Sequence, residues 1–200
     1  MQDKRIIKTK KSIKKAFIEL LGEKNFEKIS VTEICAKANV TRISFYAHYD
    51  DKYGLAESLF SEYVREAYHD YRIMQQKNTE KDPLWDYDNL LESILNLYYN
   101  NLEFFSHTSA KENPYLYTLF YNHMFGIVRG FVRHNRDFMP KYPPKQTAAF
   151  LCNGFWGVIT ECNNESISEE VARANVKAMC QDILKSELFF NHKEEKLNVG

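Results

Sequence analysis

Hydrogen-bonding side chains of several kinds lie close together in residues 41–52. Arg42 and Ser44 fall on the outer side of a short predicted helix, and Tyr46 and His48 fall on the same side. An arginine can address a guanine edge in the major groove of DNA, and hydroxyl groups can reach bases or phosphates. A helix of about two turns fits that groove. The chemistry that these residues could perform is therefore hydrogen bonding to duplex DNA.

Two short helices joined by a tight turn must position these side chains. Ser30 and Glu33 form a capping-box pattern at the start of the first of the two, and Thr41 stands where the second needs an N-cap. The turn between them holds Asn39, a residue that tolerates left-handed backbone. This spacing predicts a helix-turn-helix.

The positive charge of the chain is concentrated near the N-terminus. Residues 1–52 hold 12 Lys and Arg against 7 Asp and Glu, although the net charge of the whole chain is zero. A first helix is predicted from about Lys4 to Gly22, with its lysines facing outward. This basic end is the candidate anion-binding region. Lysines that only solvate a surface helix would give the same pattern, so charge alone leaves both interpretations open.

Helical periodicity dominates the rest of the chain, and we predict an all-α fold of about nine helices. A long fourth helix should begin near Asp51 or Lys52 and end near Gln76, before a loop at 78–83. The later helices are predicted at 84–101, 102–109, 114–135, 145–163 and 168–187. The predicted domains are a three-helix head at 1–52, a helical regulatory and dimerisation body at 53–190, and a flexible tail at 191–200.

Several classes of protein are disfavoured by the sequence. The four cysteines, Cys35, Cys152, Cys162 and Cys180, are scattered in apolar segments without metal-ligand spacing, so we expect them in the core. No phosphate-binding, nucleotide-binding or hydrolase motif occurs. No apolar run approaches the ~20 residues of a membrane span. We therefore expect a cytoplasmic protein without catalysis, cofactor, metal or membrane contact.

Residues 5–60 resemble the DNA-binding domain of the TetR family of bacterial regulators. That domain carries the pattern hydrophobic-x-x-Ile-Ala-x-x-Ala-Gly-Val-Ser, followed by Tyr-x-x-Phe and a nearby Lys. The matching residues here are Val31, Ile34, Ala38, Val40, Thr41, Tyr46, Tyr49 and Lys52. Asn39 replaces the turn glycine, Cys35 an alanine and Tyr49 a phenylalanine, all conservative in backbone demand or volume. The combination of Arg42, Phe45-Tyr46 and His48-Tyr49 is most similar to regulators of this family from Gram-positive bacteria.

The resemblance implies a role for each matching position. Arg42 and Ser44 would read bases, and Thr41 belongs to the same DNA-binding set. The residues expected to hold phosphates are Ser30, Thr32, Tyr46, His48 and Lys52. A solvated surface imidazole at His48 and a simple surface charge at Lys52 are the alternatives.

The resemblance also implies a homodimer built from the last two long helices. The helix at 145–163 is apolar nearly all round, as expected for burial against its own domain and a partner. The predicted interface residues are Phe150, Gly154, Phe155, Gly157, Val158, Val176, Met179 and Ile183. A core helix within one chain, without a dimer, is the alternative.

An effector pocket is the last feature that the resemblance implies. The predicted lining residues, which mix apolar walls with a few polar groups, are Tyr98, Phe120, His123, Met124, Ile127 and Trp156. They would suit a small, mostly hydrophobic molecule, although aromatic residues at helical spacing also form ordinary cores. The expected function is a ligand-responsive repressor that binds a palindromic operator as a homodimer, nucleoid-associated when bound. The alternative is a ligand-sensing co-regulator, or an activator, that acts through a protein partner.

Overall fold

The computed structural model describes residues 4–79, 82–135, 138–186 and 189–192. It confirms the all-α architecture. The helices are α1 Lys4–Glu23, α2 Val31–Ala38, α3 Arg42–Tyr46, α4 Lys52–Gln75, α5 Pro83–Asn100, α6 Leu102–Phe105, α7 Pro114–His134, α8 Pro144–Asn164 and α9 Glu169–Lys185. A single 3-10 turn, Phe26–Lys28, precedes α2, and the two short strands are β1 Phe138–Pro140 and β2 Phe190–His192.

The pairing of these two strands involves the start of the predicted C-terminal tail. β1 and β2 are antiparallel, with Met139 opposite Asn191 and Pro140 opposite Phe190. The predicted flexible tail begins at residue 191, but residues 191 and 192 belong to β2; residues 193–200 lie outside the described part. Three-residue strands are too short to show an alternating pattern, so periodicity could not predict them.

The chain forms two compact units that interleave along the sequence. The first unit comprises Met1–Ala67 and Leu97–Phe120, and the second comprises Tyr68–Asn96 and Tyr121–Gly200. The predicted domains, with boundaries after residues 52 and 190, are continuous segments, whereas each of these units combines two segments. The predicted boundaries stay predictions.

Large aromatic side chains form the core of the first unit. Phe17, Phe26 and Phe45 are all completely buried, and the rings of Phe17 and Phe26 meet edge to face with centroids 6.0 Å apart. Phe60 makes similar contacts with Phe105, at 5.9 Å. Each fully buried phenylalanine contributes about 1.5–3 kcal/mol. This core holds α1, α2 and α3 in fixed positions, so the side chains exposed on α3 stand on a rigid support.

A polar network joins α5 to α9 in the second unit. Arg173 donates hydrogen bonds to Glu92 at 3.2 Å, to Asn96 at 3.0 Å and to Glu169 at 2.7 Å. The Arg173 side chain is only 17% exposed, so these acceptors compensate for its desolvation. Nearby, Gln181 donates to Asp88 at 2.8 Å.

The four cysteines are free. Cys35, Cys162 and Cys180 are buried, as predicted, whereas Cys152 is half-buried. Within the described ranges, no group of three or more metal-ligating side chains is arranged to hold an ion. The described helices also include none with the length and apolar character that crossing a membrane requires.

Candidate nucleic-acid interface

The predicted capping box and turn are both present around α2. The Ser30 hydroxyl accepts from the Glu33 backbone N–H at 3.3 Å, and the Glu33 carboxylate accepts from the Ser30 N–H at 3.0 Å. At the other end, Asn39 adopts φ 53° and ψ 48°, the left-handed conformation expected for a residue that ends a helix. These local bonds fix the direction in which the chain leaves α2 and enters α3.

The N-cap and the buried side of α3 determine which of its side chains face outward. The Thr41 hydroxyl accepts from the Ser44 N–H at 3.1 Å, while Phe45 is fully buried beneath the helix. The side chains left exposed, which we call the α3 face, are Arg42, Ile43, Tyr46 and Ala47. Arg42 and Tyr46 are four residues apart, as are Ile43 and Ala47, so these side chains are neighbours on the surface.

Arg42 and Tyr46 interact on this face. The Arg42 guanidinium carbon lies 5.8 Å from the centroid of the Tyr46 ring, which is within the range of a cation–π contact. A hydrogen bond with Tyr46 also raises the pKa of Arg42. The tyrosine therefore restricts the directions that the guanidinium can take while leaving it accessible to solvent.

Three of the other predicted contact residues use their hydroxyl groups within the protein. Ser30 and Thr41 accept the capping bonds described above, and the Ser44 hydroxyl lies 3.0 Å from that of Thr41. Ser44 is half-buried rather than on the outer side, and α3 has five residues instead of the two turns expected. Thr32 is exposed, and His48 is half-exposed with its ring 6.4 Å from that of Tyr49. The contacts of these residues with DNA stay predictions.

Lys52 makes several contacts within the first unit. Its Nζ donates to the carbonyls of Phe26 at 2.9 Å, Glu27 at 2.9 Å and Ile29 at 3.0 Å. The ammonium also lies 4.7 Å from the centroid of the Phe26 ring, and the side chain is only 13% exposed. Since an ammonium has three donors, these carbonyls use all of them. These bonds fasten the start of α4 to the 3-10 turn, and the predicted phosphate contact of Lys52 stays a prediction.

Ion pairs with acidic side chains neutralise part of the positive charge counted in residues 1–52. Lys14 pairs with Glu62, Lys24 with Glu33 at 2.5 Å, and Lys37 with Glu23 at 2.7 Å. The first four turns of α1 nevertheless carry lysines and Arg5 without a single acid among them. The charge that could attract an anion is thus concentrated on the first half of α1.

The capping box makes the stability of α2 dependent on pH. Hydrogen bonds from Lys24 and then Ser30 lower the pKa of the Glu33 carboxyl from 4.5 to about 2. Because the pKa is lower in the folded protein, ionised Glu33 stabilises the fold above pH 4.5 and this contribution is lost as the pH falls toward 2. We expect Glu33→Gln to be less stable than the wild type at neutral pH, with a difference that shrinks on acidification. Urea unfolding at several pH values measures it.

Ser30→Ala is the companion variant in this experiment. It removes the cap but leaves Lys24 beside the carboxylate, so its deficit should persist further into the acid range than that of Glu33→Gln. A Glu33→Gln deficit that is constant from neutral pH down to pH 2 would show that the charge of Glu33 contributes nothing.

Two features of the first unit were absent from the sequence-based predictions. Ile43 is 84% exposed on the α3 face. In addition, two residues around the start of α7 contact the 3-10 turn. The side chain of Asn113, just before the helix, accepts from the Phe26 N–H at 2.6 Å, and the Tyr115 ring stacks on that of Phe26 at 5.2 Å. The Tyr115 hydroxyl also donates to Glu57 at 3.1 Å. Only the exposed isoleucine could have been noticed from periodicity.

The predicted dimer residues divide into accessible and inaccessible ones. Phe150 is 49% exposed, although its ring stacks on Phe189 at 4.6 Å, and Met179 is 43% exposed. A Cβ added to Gly154 or Gly157 would meet no atom within 4 Å. Phe155, Val158 and Ile183 are half-buried. Val176 is completely buried within its own unit, and its place in a dimer interface stays a prediction.

The predicted pocket residues are mostly well packed. Tyr98 and Phe120 are each 4% exposed in the first unit, where both rings contact Phe105 at 5.8 Å and 5.2 Å. Met124 is 5% exposed in the second unit. His123, Ile127 and Trp156 are half-buried there. Tyr98 and Phe120 thus belong to an aromatic core, which is the alternative that the sequence left open, and a pocket stays a prediction.

Comparison with known sequences places the matching region in the head. The sequence model of the family described as bacterial regulatory proteins, tetR family, matches residues 13–59, from within α1 into α4. An uncharacterized HTH-type transcriptional regulator of Bacillus subtilis, YxbF, is 34% identical over 58 residues. That match spans 28% of this chain and 15% of the length of YxbF.

Solved structures share the fold over most of the chain. A TetR-family transcriptional regulator from Syntrophomonas wolfei has a TM-score of 0.72 at 13% identity, covering 90% of this chain and 96% of its own. A TetR regulator from Streptococcus agalactiae has a TM-score of 0.58 at 22% identity, covering 88% and 96%. The fatty acid degradation regulator FadR of Bacillus halodurans has a TM-score of 0.64 at 14% identity, covering 96% and 100%. At these identities the likeness concerns the fold.

Proposed function

We propose that this chain, whose residues 13–59 match the TetR family model and whose fold is shared with TetR-family structures, is a ligand-responsive repressor that binds a palindromic operator as a homodimer. It would act in the cytoplasm, at the nucleoid when bound. The observation that carries the proposal is the α3 face, on which Arg42 and Tyr46 stand exposed above the buried Phe45. Its operator contacts would come from this face and its phosphate contacts from the surfaces around it.

Charge supports DNA as the partner. Seven of the first twelve residues of α1 are lysine or arginine and none of the twelve is acidic, although Lys14 pairs with Glu62 and Lys15 with Glu19. Phosphate contacts supply most of the affinity of a DNA-binding protein, while a few base contacts supply the specificity. The basic half of α1 and the α3 face belong to the same compact unit, so one unit offers both kinds of contact.

A two-fold dimer is the assembly that suits a recognition helix this short. Five residues can contact few base pairs, and pairing two heads doubles the number that are read. The surface proposed for dimerisation is the exposed side of α8 and α9, with Phe150, Gly154 and Gly157 on α8 and Met179 on α9. The two glycines leave open surface where a partner helix can approach closely.

Repression with relief by an effector is the mode of action that we propose. A dimer seated on a promoter excludes polymerase, and a ligand that favours one arrangement of the heads over another changes operator affinity. The effector would be small and mostly hydrophobic. The family consists of regulatory proteins, and the proposal assigns no catalytic step and no cofactor to the chain.

Selection of duplexes from a random pool by the purified protein, at two salt concentrations, tests the proposal. We expect enrichment of a palindrome whose half-sites lie about one helical turn apart. Sedimentation of the protein on the selected duplex should give two chains per operator. Retention without sequence enrichment, or a complex with a single chain on an asymmetric site, would contradict the proposal.

A co-regulator that acts through a protein partner is the competing function. The dependence of duplex binding on salt separates the two, because each neutralised phosphate contributes about −0.9 to the slope of log K against log salt. A steep negative slope supports the repressor, and an absence of duplex binding at low salt supports the co-regulator.

A further inference from the structure

Ile43 is the most exposed large hydrophobic residue among those that the structure describes. Its side chain is 84% accessible, compared with 61% for Tyr68, the next in order. A β-branched residue on a short helix adds nothing to helix propensity, and at this exposure it adds little to the core. Folding therefore gives no reason for isoleucine at this position.

The neighbours of Ile43 indicate what the side chain can contact. It lies on the α3 face next in sequence to Arg42 and three residues before Tyr46, so its exposed apolar side chain neighbours both of these polar residues. In the major groove, thymine presents a C5-methyl group beside its hydrogen-bonding atoms, and apolar side chains recognise that methyl by contact. On the α3 face, Ile43 could therefore contact a thymine methyl group while Arg42 beside it bonds to the edge of a base.

We propose that Ile43 is a specificity-determining residue that reads the C5-methyl group of one thymine in each operator half-site. The inference rests on the proposed function, since it requires that the α3 face enters the major groove. It adds the identity of one base and the atom by which it is distinguished. Ser44, which was predicted to read bases, is half-buried and uses its hydroxyl near Thr41, so Ile43 takes the more accessible position.

The test replaces each thymine of the selected operator, one at a time, by deoxyuridine, which removes only the methyl group. Wild-type affinity is measured by fluorescence anisotropy at fixed salt. We expect one thymine per half-site at which the loss is about fourfold, and about sixteenfold when both half-sites are changed, as for the loss of one buried methyl per site. Ile43→Ala should bind the thymine and deoxyuridine duplexes equally.

A second exposed isoleucine provides the matched control. Ile7 on α1 is 52% exposed in the same unit, and Ile7→Ala should keep the full dependence on the methyl group. If no thymine shows a methyl dependence, or if the dependence persists in Ile43→Ala, the role of Ile43 is refuted while the repressor function stands. If the random pool yields no enriched sequence at all, the proposed function fails, and this inference fails with it.

Discussion

Replacing Lys52 by methionine is expected to lower the free energy of unfolding by about 2–4 kcal/mol, the largest loss that we predict for any single side chain of the head. The change removes three hydrogen bonds from an ammonium to the carbonyls of Phe26, Glu27 and Ile29. It also removes a cation 4.7 Å from the Phe26 ring. Urea unfolding followed by circular dichroism measures the loss.

The same variant decides between the two roles considered for Lys52. Where the variant is folded, the slope of log K against log salt for duplex binding should equal that of the wild type, because the ammonium is occupied by carbonyls. Lys28→Met, at an exposed position in the same 3-10 turn, is the control for stability. Unchanged stability combined with a slope flattened by about 0.9 would show that Lys52 contacts a phosphate instead.

Arg42→Ala is expected to reduce affinity for the selected operator by about 1–3 kcal/mol, which is about 5- to 150-fold, and to relax the base preference at one position of each half-site. The guanidinium is exposed at the start of α3 and is held beside the Tyr46 ring, so its loss removes a two-pronged donor without disturbing the core. Anisotropy on the operator and on a random duplex of equal length measures both effects.

Arg42→Lys is the informative control, since it keeps the positive charge but loses the planar fork of donors. If Arg42 reads a base, the lysine variant should retain random-duplex affinity and lose operator preference. Equal losses of Arg42→Ala on operator and random DNA would mean that the residue contacts only a phosphate.

Interactions between neighbours in sequence were the ones that the sequence predicted well. Ser30 and Glu33 are three residues apart, and the left-handed Asn39 follows from its own conformational preference, so the helix-turn-helix could be predicted before any tertiary contact was known. The starts of two long helices follow from the same local signals, because a proline begins α8 and the Ser168 cap begins α9.

Interactions distant in sequence could not be predicted in this way. Lys52 bonds to a carbonyl 26 residues earlier, and nothing in its own neighbourhood shows this. Val176 satisfies an amphipathic pattern equally well whether the apolar side faces the chain's own core or a partner. The half-burial of Ser44 likewise depends on the packing of α3 in the first unit, which its own sequence neighbourhood does not show.

The contact of Asn113 and Tyr115 with the 3-10 turn determines how this head can be transplanted. The helix-turn-helix ends before Lys52 in sequence, yet the buried N–H of Phe26 has its acceptor on Asn113, 87 residues later. In a chimera that exchanges only the first 60 residues for those of another regulator, Asn113 and Tyr115 would lose the backbone N–H and the ring that they contact in this chain. The exchangeable module is therefore two pieces of chain, 1–67 together with 97–120.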